Sequence, residues 1–298
     1  MKKFNNCEIC DENDWHTVYK GAIRNGSFGD TLNDCVIARC NNCGAERLSE
    51  EDCIKAEQYQ NDNYRDLLNQ GQSLNKHFQL QDELVFFNLE ALYPISLRNM
   101  VVADIGAGGG AFLDQIQNIC QEVIAVEPSE NFSKSLIARG YKHFSSNEAA
   151  LLDYKETVDF AFSIQVIEHV DNPKEFLREI FSLLKTGGQA LISTPNRNDI
   201  LMDFLEDDFK SFFYRSQHRW NFDMDSLSFC AIEAGFKVKE KKFLHRYGLS
   251  NTLNWLKDKM PKGRENISPI DSHMDSLWKA WLESKGKSDN LYILLEKD

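Results

Sequence analysis

The chain has 298 residues, 42% of them hydrophobic and 27% charged, which supports one large domain or two unequal ones and excludes wholesale disorder. Forty-six acidic residues against 34 Lys and Arg leave a net charge of −12, which opposes a nucleic-acid coat, since phosphate binding needs a basic face. Met1-Lys2-Lys3 leads into polar Asn5, Asn6, Glu8 and Asp11, and no run approaches the ~18–20 apolar residues of a membrane span, so a soluble, cytoplasmic protein without a membrane partner is expected.

Six of the eight cysteines fall in the first 53 residues, including two C-x-x-C pairs, Cys7/Cys10 and Cys40/Cys43. Two residues between ligands let one tight turn aim both sulfurs at one ion, and two such turns complete a tetrahedron. The spacing therefore predicts a structural zinc held by Cys7, Cys10, Cys40 and Cys43 in a small zinc-ribbon-like module over residues 1–55. Cys35 and Cys53 are read as spare thiols. The competing readings are redox pairs or small buried apolar residues, and a protein-binding adaptor. Ten Asp and Glu against seven Lys and Arg in this module speak against a nucleic-acid ribbon.

Residues 56–72 are polar with Tyr59 and Tyr64 interleaved, and read as a linker or flap. Ser73–Leu92 keeps helical spacing at Leu80, Leu84, Phe87 and Ala91, completing a 56–92 segment of linker and packing helix. From residue 93 to the end, strands and helices alternate. Met100–Ile105 is a strand, Ala111–Ile119 a helix, Val123–Glu127 a strand and Phe132–Ala138 a helix. A weak strand at Tyr141–Ser145 precedes a strong one at Val158–Ile164, a helix at Pro173–Lys185 and a strand at Gln189–Thr194. Asn172 is the expected cap of that last helix, with Pro173 in its first turn and Gly187-Gly188 as its stop. Such alternation specifies an α/β fold with an open, mostly parallel sheet covered on both faces.

Asp104-Ile105-Gly106-Ala107-Gly108-Gly109-Gly110 follows the first of these strands. Glycines there allow a sharp turn and direct contact between ligand and backbone amides, and Glu127 ends the next strand where a carboxylate can chelate ribose hydroxyls. Counted from Gly106 to Ala111, the same residues also satisfy a dinucleotide fingerprint, so a nucleotide-dependent oxidoreductase is the rival reading. The downstream text leans the other way. Asp104–Gly110, Val126–Ser129, Asp159–Val170 and Leu184–Gly188 through Ser193–Asn196 together resemble the class I S-adenosylmethionine-dependent methyltransferases, in order and in spacing. His218–Phe236 extends the likeness to the substrate side, and Asp289–Lys297 resembles the family's last strand. The resemblance implies a Rossmann-like, seven-stranded, mostly parallel sheet with an antiparallel last strand.

It also implies S-adenosylmethionine as cofactor. Gly106, Gly108 and Gly110 would line its methionine and ribose parts, Asp104 would lie near its amino group, and Glu127, followed by Pro128, would hold the ribose. Ser146 or Asn147 would lie near the adenine, and Gln165 and Val166 would border the sulfonium and the substrate mouth. The cysteine module further resembles zinc-bearing sugar and natural-product methyltransferases, implying a small-molecule acceptor such as a sugar or nucleotide-linked sugar; a phenol or quinone precursor is the alternative. A hydroxyl acceptor needs a base. His218, in Tyr214–Trp220, is the first candidate and His169 the second, with Tyr64, Tyr214 and His245 behind them. Each histidine has a plainer reading, His218 as a cap near Asp223 and His169 as a loop anchor beside Glu168. Phe204–Trp220 reads equally as a substrate wall or a core-facing helix. Residues 249–288 read as an insertion before the last strand, with Trp255, Trp278 and Trp281 suited to a lid, a substrate wall or an oligomer contact.

Overall fold

A computed structural model of the chain describes residues 4–54 and 74–298. The cysteine region contains a long antiparallel hairpin, β1 (Trp15–Arg24) and β2 (Thr31–Cys40), followed by the short strand β3 (Glu46–Leu48). The sequence reading found no strands here. The period-2 signal is confined to a few residues, with Cys35 and Ile37 buried while Asn33 and Asp34 are exposed. The segment 56–72, with Tyr59 and Tyr64, lies outside the described residues.

Next come α1 (Leu74–Leu92), β4 (Val101–Ile105), α2 (Ala111–Ile116), β5 (Glu122–Val126), α3 (Glu130–Ala138), β6 (Lys142–Phe144), α4 (Asn147–Tyr154), β7 (Val158–Ile164) and α5 (Pro173–Leu183). They are followed by β8 (Leu184–Pro195), α6 (Ile200–Leu205), α7 (Asp207–Phe213), β9 (Trp220–Asn221), α8 (Met224–Glu233), β10 (Lys237–Leu244), α9 (Leu249–Asp258), α10 (Ser272–Ser284) and β11 (Asn290–Glu296). Seven strands form the main sheet in the order β10-β11-β8-β7-β4-β5-β6. The pairs β4–β5, β4–β7, β5–β6 and β7–β8 are parallel, whereas β11 is antiparallel to both β8 and β10. This is the α/β sheet expected. The chain leaves β4 in one direction toward β5 and β6 and later returns on its other side with β7 and β8. Ligand crevices form at such switch points, outside the carboxyl ends of the strands.

The amphipathic helix α5 illustrates how the sheet is covered. Asn172 accepts a 3.0 Å hydrogen bond from the Glu175 amide, Pro173 occupies the first turn, and Phe176, Leu177, Ile180 and Leu183 are buried. Each such side chain contributes about 1.5–3 kcal/mol by leaving water. The expected stop at Gly187-Gly188 is corrected. The helix ends at Leu183, because Leu184 is already extended and pairs with Val158. The glycines instead shape an irregularity inside β8, where a Cβ on Gly188 would lie 2.8 Å from the Lys185 carbonyl. Helix α4 was not anticipated; Ser146 caps it by accepting from the Ala149 amide at 3.2 Å.

The strand β9 pairs with β3, matching Arg47 with Trp220 and Glu46 with Asn221, so the cysteine region's sheet is finished by a strand from the distant substrate loop. The Leu48 amide donates to the Arg219 carbonyl at 2.9 Å, and Trp220 is fully buried. Helices α6, α7, α9 and α10 pack with β1 and β2 in a separate apolar cluster that includes Phe209, Phe213, Tyr214 and Trp255. Phe209 and Phe213 therefore face a core. Trp278 and Trp281 stack 5.4 Å apart.

Candidate active site

The glycine turn at the end of β4 is built for a close ligand. Gly106 has φ +81°, and a Cβ there would sit 2.4 Å from Val166 Cγ2, so no side chain fits. The Gly106 and Ala107 amides donate to the Val126 carbonyl at 2.8 and 3.1 Å, tying the turn to β5. Gly110, at φ +82°, precedes α2 with Leu136 and Arg139 against it. Glu127 is buried; one carboxylate oxygen accepts from the Gly108 amide and the other from the Ser129 amide, both at 2.8 Å. Pro128 is exposed beside it.

Asp104 is buried at the base of this turn, and its carboxyl has no hydrogen-bond donor among the described residues. Desolvation, helped by the neighbouring Glu127 charge, raises it to about 7. Two close carboxyls over an atom-bare glycine turn fit a ligand that brings hydroxyls and a positive charge, as the amino and sulfonium groups of S-adenosylmethionine would. Ser146 and Asn147 are engaged locally, Ser146 in its cap and Asn147 in a 3.0 Å bond to Glu179. Gln165 sits at φ +58°, and its amide donates to Ser193 at 3.2 Å and Asn290 at 3.1 Å, pinning the end of β7 to β8 and β11.

The loop after β7 carries this crevice into a second cluster. The His169 amide donates to the Val166 carbonyl at 2.9 Å, and His169 Nδ1 donates to the Gln217 carbonyl at 2.7 Å. That bond leaves Nε2 as the acceptor. The His218 ring meets His169 edge to face with centroids 4.8 Å apart. Burial and the Arg215 charge hold both rings below the usual histidine range, His169 at about 4, so both are neutral at pH 7. Glu168 is fully buried beneath them, pushed up to about 7 by desolvation. Glu168, His169 and His218 offer ligand atoms within 4.8 Å of one another, with Arg215 and Arg24 as the neighbouring cations.

The weaker base candidates have other duties. Tyr214 donates to Glu46 at 2.8 Å, and His245 accepts from the Asp289 amide at 3.0 Å. Asp223, not His218, caps α8. Tyr64 lies outside the described residues. What the sequence reading missed is Arg24, which reaches the histidine cluster from β1; no local motif marks it. Away from the crevice, Cys7, Cys10, Cys40 and Cys43 converge. Cys7 and Cys43 sulfurs lie 3.6 Å apart, and Cys10 and Cys40 sulfurs 3.5 Å apart. A zinc tetrahedron with ~2.3 Å bonds has sulfur–sulfur edges of about 3.8 Å, so the cluster fits a metal ion.

Residues 77–241 match the family model described as a methyltransferase domain, more than half of the chain. The fold and crevice are those of a class I S-adenosylmethionine-dependent methyltransferase. The chain belongs to the methyltransferase-domain family, which removes the oxidoreductase reading. Over 103 residues it is 32% identical to the ubiquinone biosynthesis O-methyltransferase of Ruegeria pomeroyi, covering 32% of this chain and 41% of that protein. The chain thus spans less than half the length of that relative. A methyltransferase of Thermotoga maritima described as S-adenosylmethionine-dependent shares the fold at 24% identity and TM-score 0.50, covering 74% of this chain and 91% of that one. One from Archaeoglobus fulgidus does so at 19% identity and 0.51, covering 72% and 94%. Among the described residues no helix is long and apolar enough to cross a membrane.

Proposed function

We propose that this protein methylates a hydroxyl oxygen of a small, non-sugar acceptor, a phenol or quinone precursor. The observation that carries the oxygen-methylation reading is the pair of neutral imidazoles, His169 and His218, on the loops that continue from the cofactor crevice. The acceptor class follows the names of the curated relatives, which favour a phenol or quinone precursor over the sugar first expected from the sequence.

Bound S-adenosylmethionine supplies a methyl group already activated on a sulfonium. Gly106, Gly108 and Gly110 would let the cofactor lie against backbone, Asp104 would face its amino group, and Glu127 would hold the ribose. Val166 lies against Gly106 and would stand between cofactor and acceptor. His218 takes the acceptor's hydroxyl proton, since its ring nitrogens have no hydrogen-bond partner among the described residues. His169, oriented by the Gln217 carbonyl, positions that ring. Buried surroundings keep competing water away from the reacting oxygen.

The four-cysteine cluster is read as a structural zinc site, closed by four sulfurs and so without an open position for chemistry. The test of the main reading is a methyl-transfer screen with product masses over hydroxylated aromatic compounds and nucleotide sugars. Methylated phenols support it. Methylated sugars alone would return the acceptor to carbohydrate chemistry, and no transfer to any hydroxyl would end the oxygen-methylation reading.

A further inference from the structure

Two arginines at the edge of the histidine cluster have no ion-pair partner among the described residues, and the carboxyl whose charge acts on Arg215 is the buried Glu168. Arg24 leaves the end of β1 and Arg215 lies in the loop before β9, and their backbones pair, with the Arg24 amide donating to Tyr214 and the Ser216 amide donating to Arg24, each at 3.0 Å. Arg24 lies 4.1 Å over the Phe212 ring. Both side chains are half-buried, and both Nε atoms are buried without a hydrogen-bond partner. Among the described residues neither guanidinium has a carboxylate within ion-pair distance, whereas the nearby Arg246 is paired with Asp289 at 2.7 Å. Folding rarely leaves two adjacent guanidinium groups partly out of water without a direct ion-pair partner, because the desolvation cost goes unreturned.

From these contacts we infer that Arg24 and Arg215 form an anion-binding subsite, which holds a carboxylate or phosphate group of the methyl acceptor while His218 faces its hydroxyl. The inference rests on the methyltransferase reading of the adjoining crevice. Guanidinium forks suit both oxyanions and bind them in two-pronged fashion. Placement supports an acceptor rather than the cofactor, since Gly106 touches Val166, Val166 bonds His169, His169 meets His218, and Arg215 bonds the His218 amide through its carbonyl at 3.0 Å. The chain of contacts runs outward from the cofactor to the arginines.

The charges also act on the base. Arg215 and Arg24 both depress the His218 basicity, after burial. An anion seated between them cancels that effect and strengthens the base only when the acceptor is in place. The same two charges oppose a divalent cation on Glu168, His169 and His218, although those ligands are close enough to hold one.

Calorimetry on the whole protein saturated with S-adenosylhomocysteine tests this, with inorganic phosphate, inorganic pyrophosphate and benzoate as separate probes. At least one should bind, and Arg24→Gln or Arg215→Gln should weaken it about tenfold or more, with Arg215→Lys recovering part of the loss. Preference for phosphate or pyrophosphate indicates a phosphorylated acceptor; preference for benzoate indicates a carboxylated one. No heat from any probe, anion binding indifferent to both glutamine variants, or Mg2+ or Zn2+ binding that His218→Ala removes, each overturns the subsite. S-adenosylhomocysteine binding is read in the same samples. Its retention confines a failure to the anion subsite, and its absence in the parent protein counts against the methyltransferase reading itself.

Discussion

His169 and His218 come from loops separated by α5, β8, α6 and α7, yet their rings meet edge to face at 4.8 Å. Two bonds from Trp220 enforce the meeting, its amide donating to the Glu168 carbonyl at 3.0 Å and its indole to the Val170 carbonyl at 3.1 Å. The tryptophan thus staples the loop after β7 to the loop before β9. A ring pair held this way pays little ordering entropy at the moment of reaction.

Replacing His218 with Ala should lower kcat by about 100- to 10,000-fold, the usual contribution of a general base. S-adenosylhomocysteine affinity should stay within about twofold of the parent, since the ring lies beyond Val166. His169→Ala should cost less, because it removes the ring's neighbour and not the proposed base. Single-turnover methyl transfer and calorimetry on both variants check this. Full turnover in His218→Ala would remove that histidine from the proton transfer.

Gly106→Ala places a methyl 2.4 Å from Val166 and keeps a φ of +81° that alanine tolerates poorly. Backbone strain of this kind costs about 1–3 kcal/mol, and we expect cofactor affinity to fall about tenfold or more. The double variant with Val166→Ala relieves the contact but not the φ, so it should recover only part of the loss. Equal affinity in parent and Gly106→Ala would mean that the turn does not touch the cofactor.

The residues that announced the fold act locally. Asn172-Pro173 and the burial spacing of Phe176, Leu177, Ile180 and Leu183 specify α5 within one stretch of chain, and Asp104–Gly110 specifies a tight glycine turn by the same locality. The misreadings have the opposite origin. Gly187-Gly188 looks like a helix stop, but Leu184 is pulled into pairing with Val158 by the sheet. Arg24 carries no signal in its own neighbourhood, and only the pairing of β1 with the loop at Arg215 brings it to the site. Likewise nothing near Arg47 predicts its partner Trp220. Local chemistry was legible, and contacts made by docking two distant segments were not.

Asp104 gives the cofactor-free protein a pH dependence whose sign is fixed. Its folded value of about 7 lies above the ordinary 3.8, so folding favours the protonated carboxyl. The stability from this group is fully present below about pH 4 and is lost as pH rises through about 7. Thermal unfolding should show that loss in the parent protein and a flatter profile in Asp104→Asn. A cationic cofactor favours the ionised carboxyl, so binding near pH 6 should release a proton, seen as a buffer-dependent heat. A buffer-independent heat at pH 6 would contradict the placement of Asp104 against the cofactor's positive charge.

The cysteine cluster reaches the candidate active site through β3, whose pairing with β9 and bond from Leu48 to Arg219 adjoin His218 directly. Lys174 on α5 adds a 2.8 Å ion pair to Asp11, next to Cys10. Arg47 anchors the same corner to Glu8 at 2.9 Å and Glu50 at 2.6 Å while lying 5.6 Å from the Trp220 ring centre. A metal that fixes the cysteine turns therefore also fixes the loop bearing His218. Cys40→Ser with Cys43→Ser should reduce bound zinc, measured by elemental analysis, from about one per chain to near zero. Methyl transfer should fall with it, while the glycine crevice, built on the separate β4–β5 edge, keeps its S-adenosylhomocysteine affinity within about threefold. Activity that survives full zinc loss would show that the β3–β9 pairing holds the histidine loop without help from the metal.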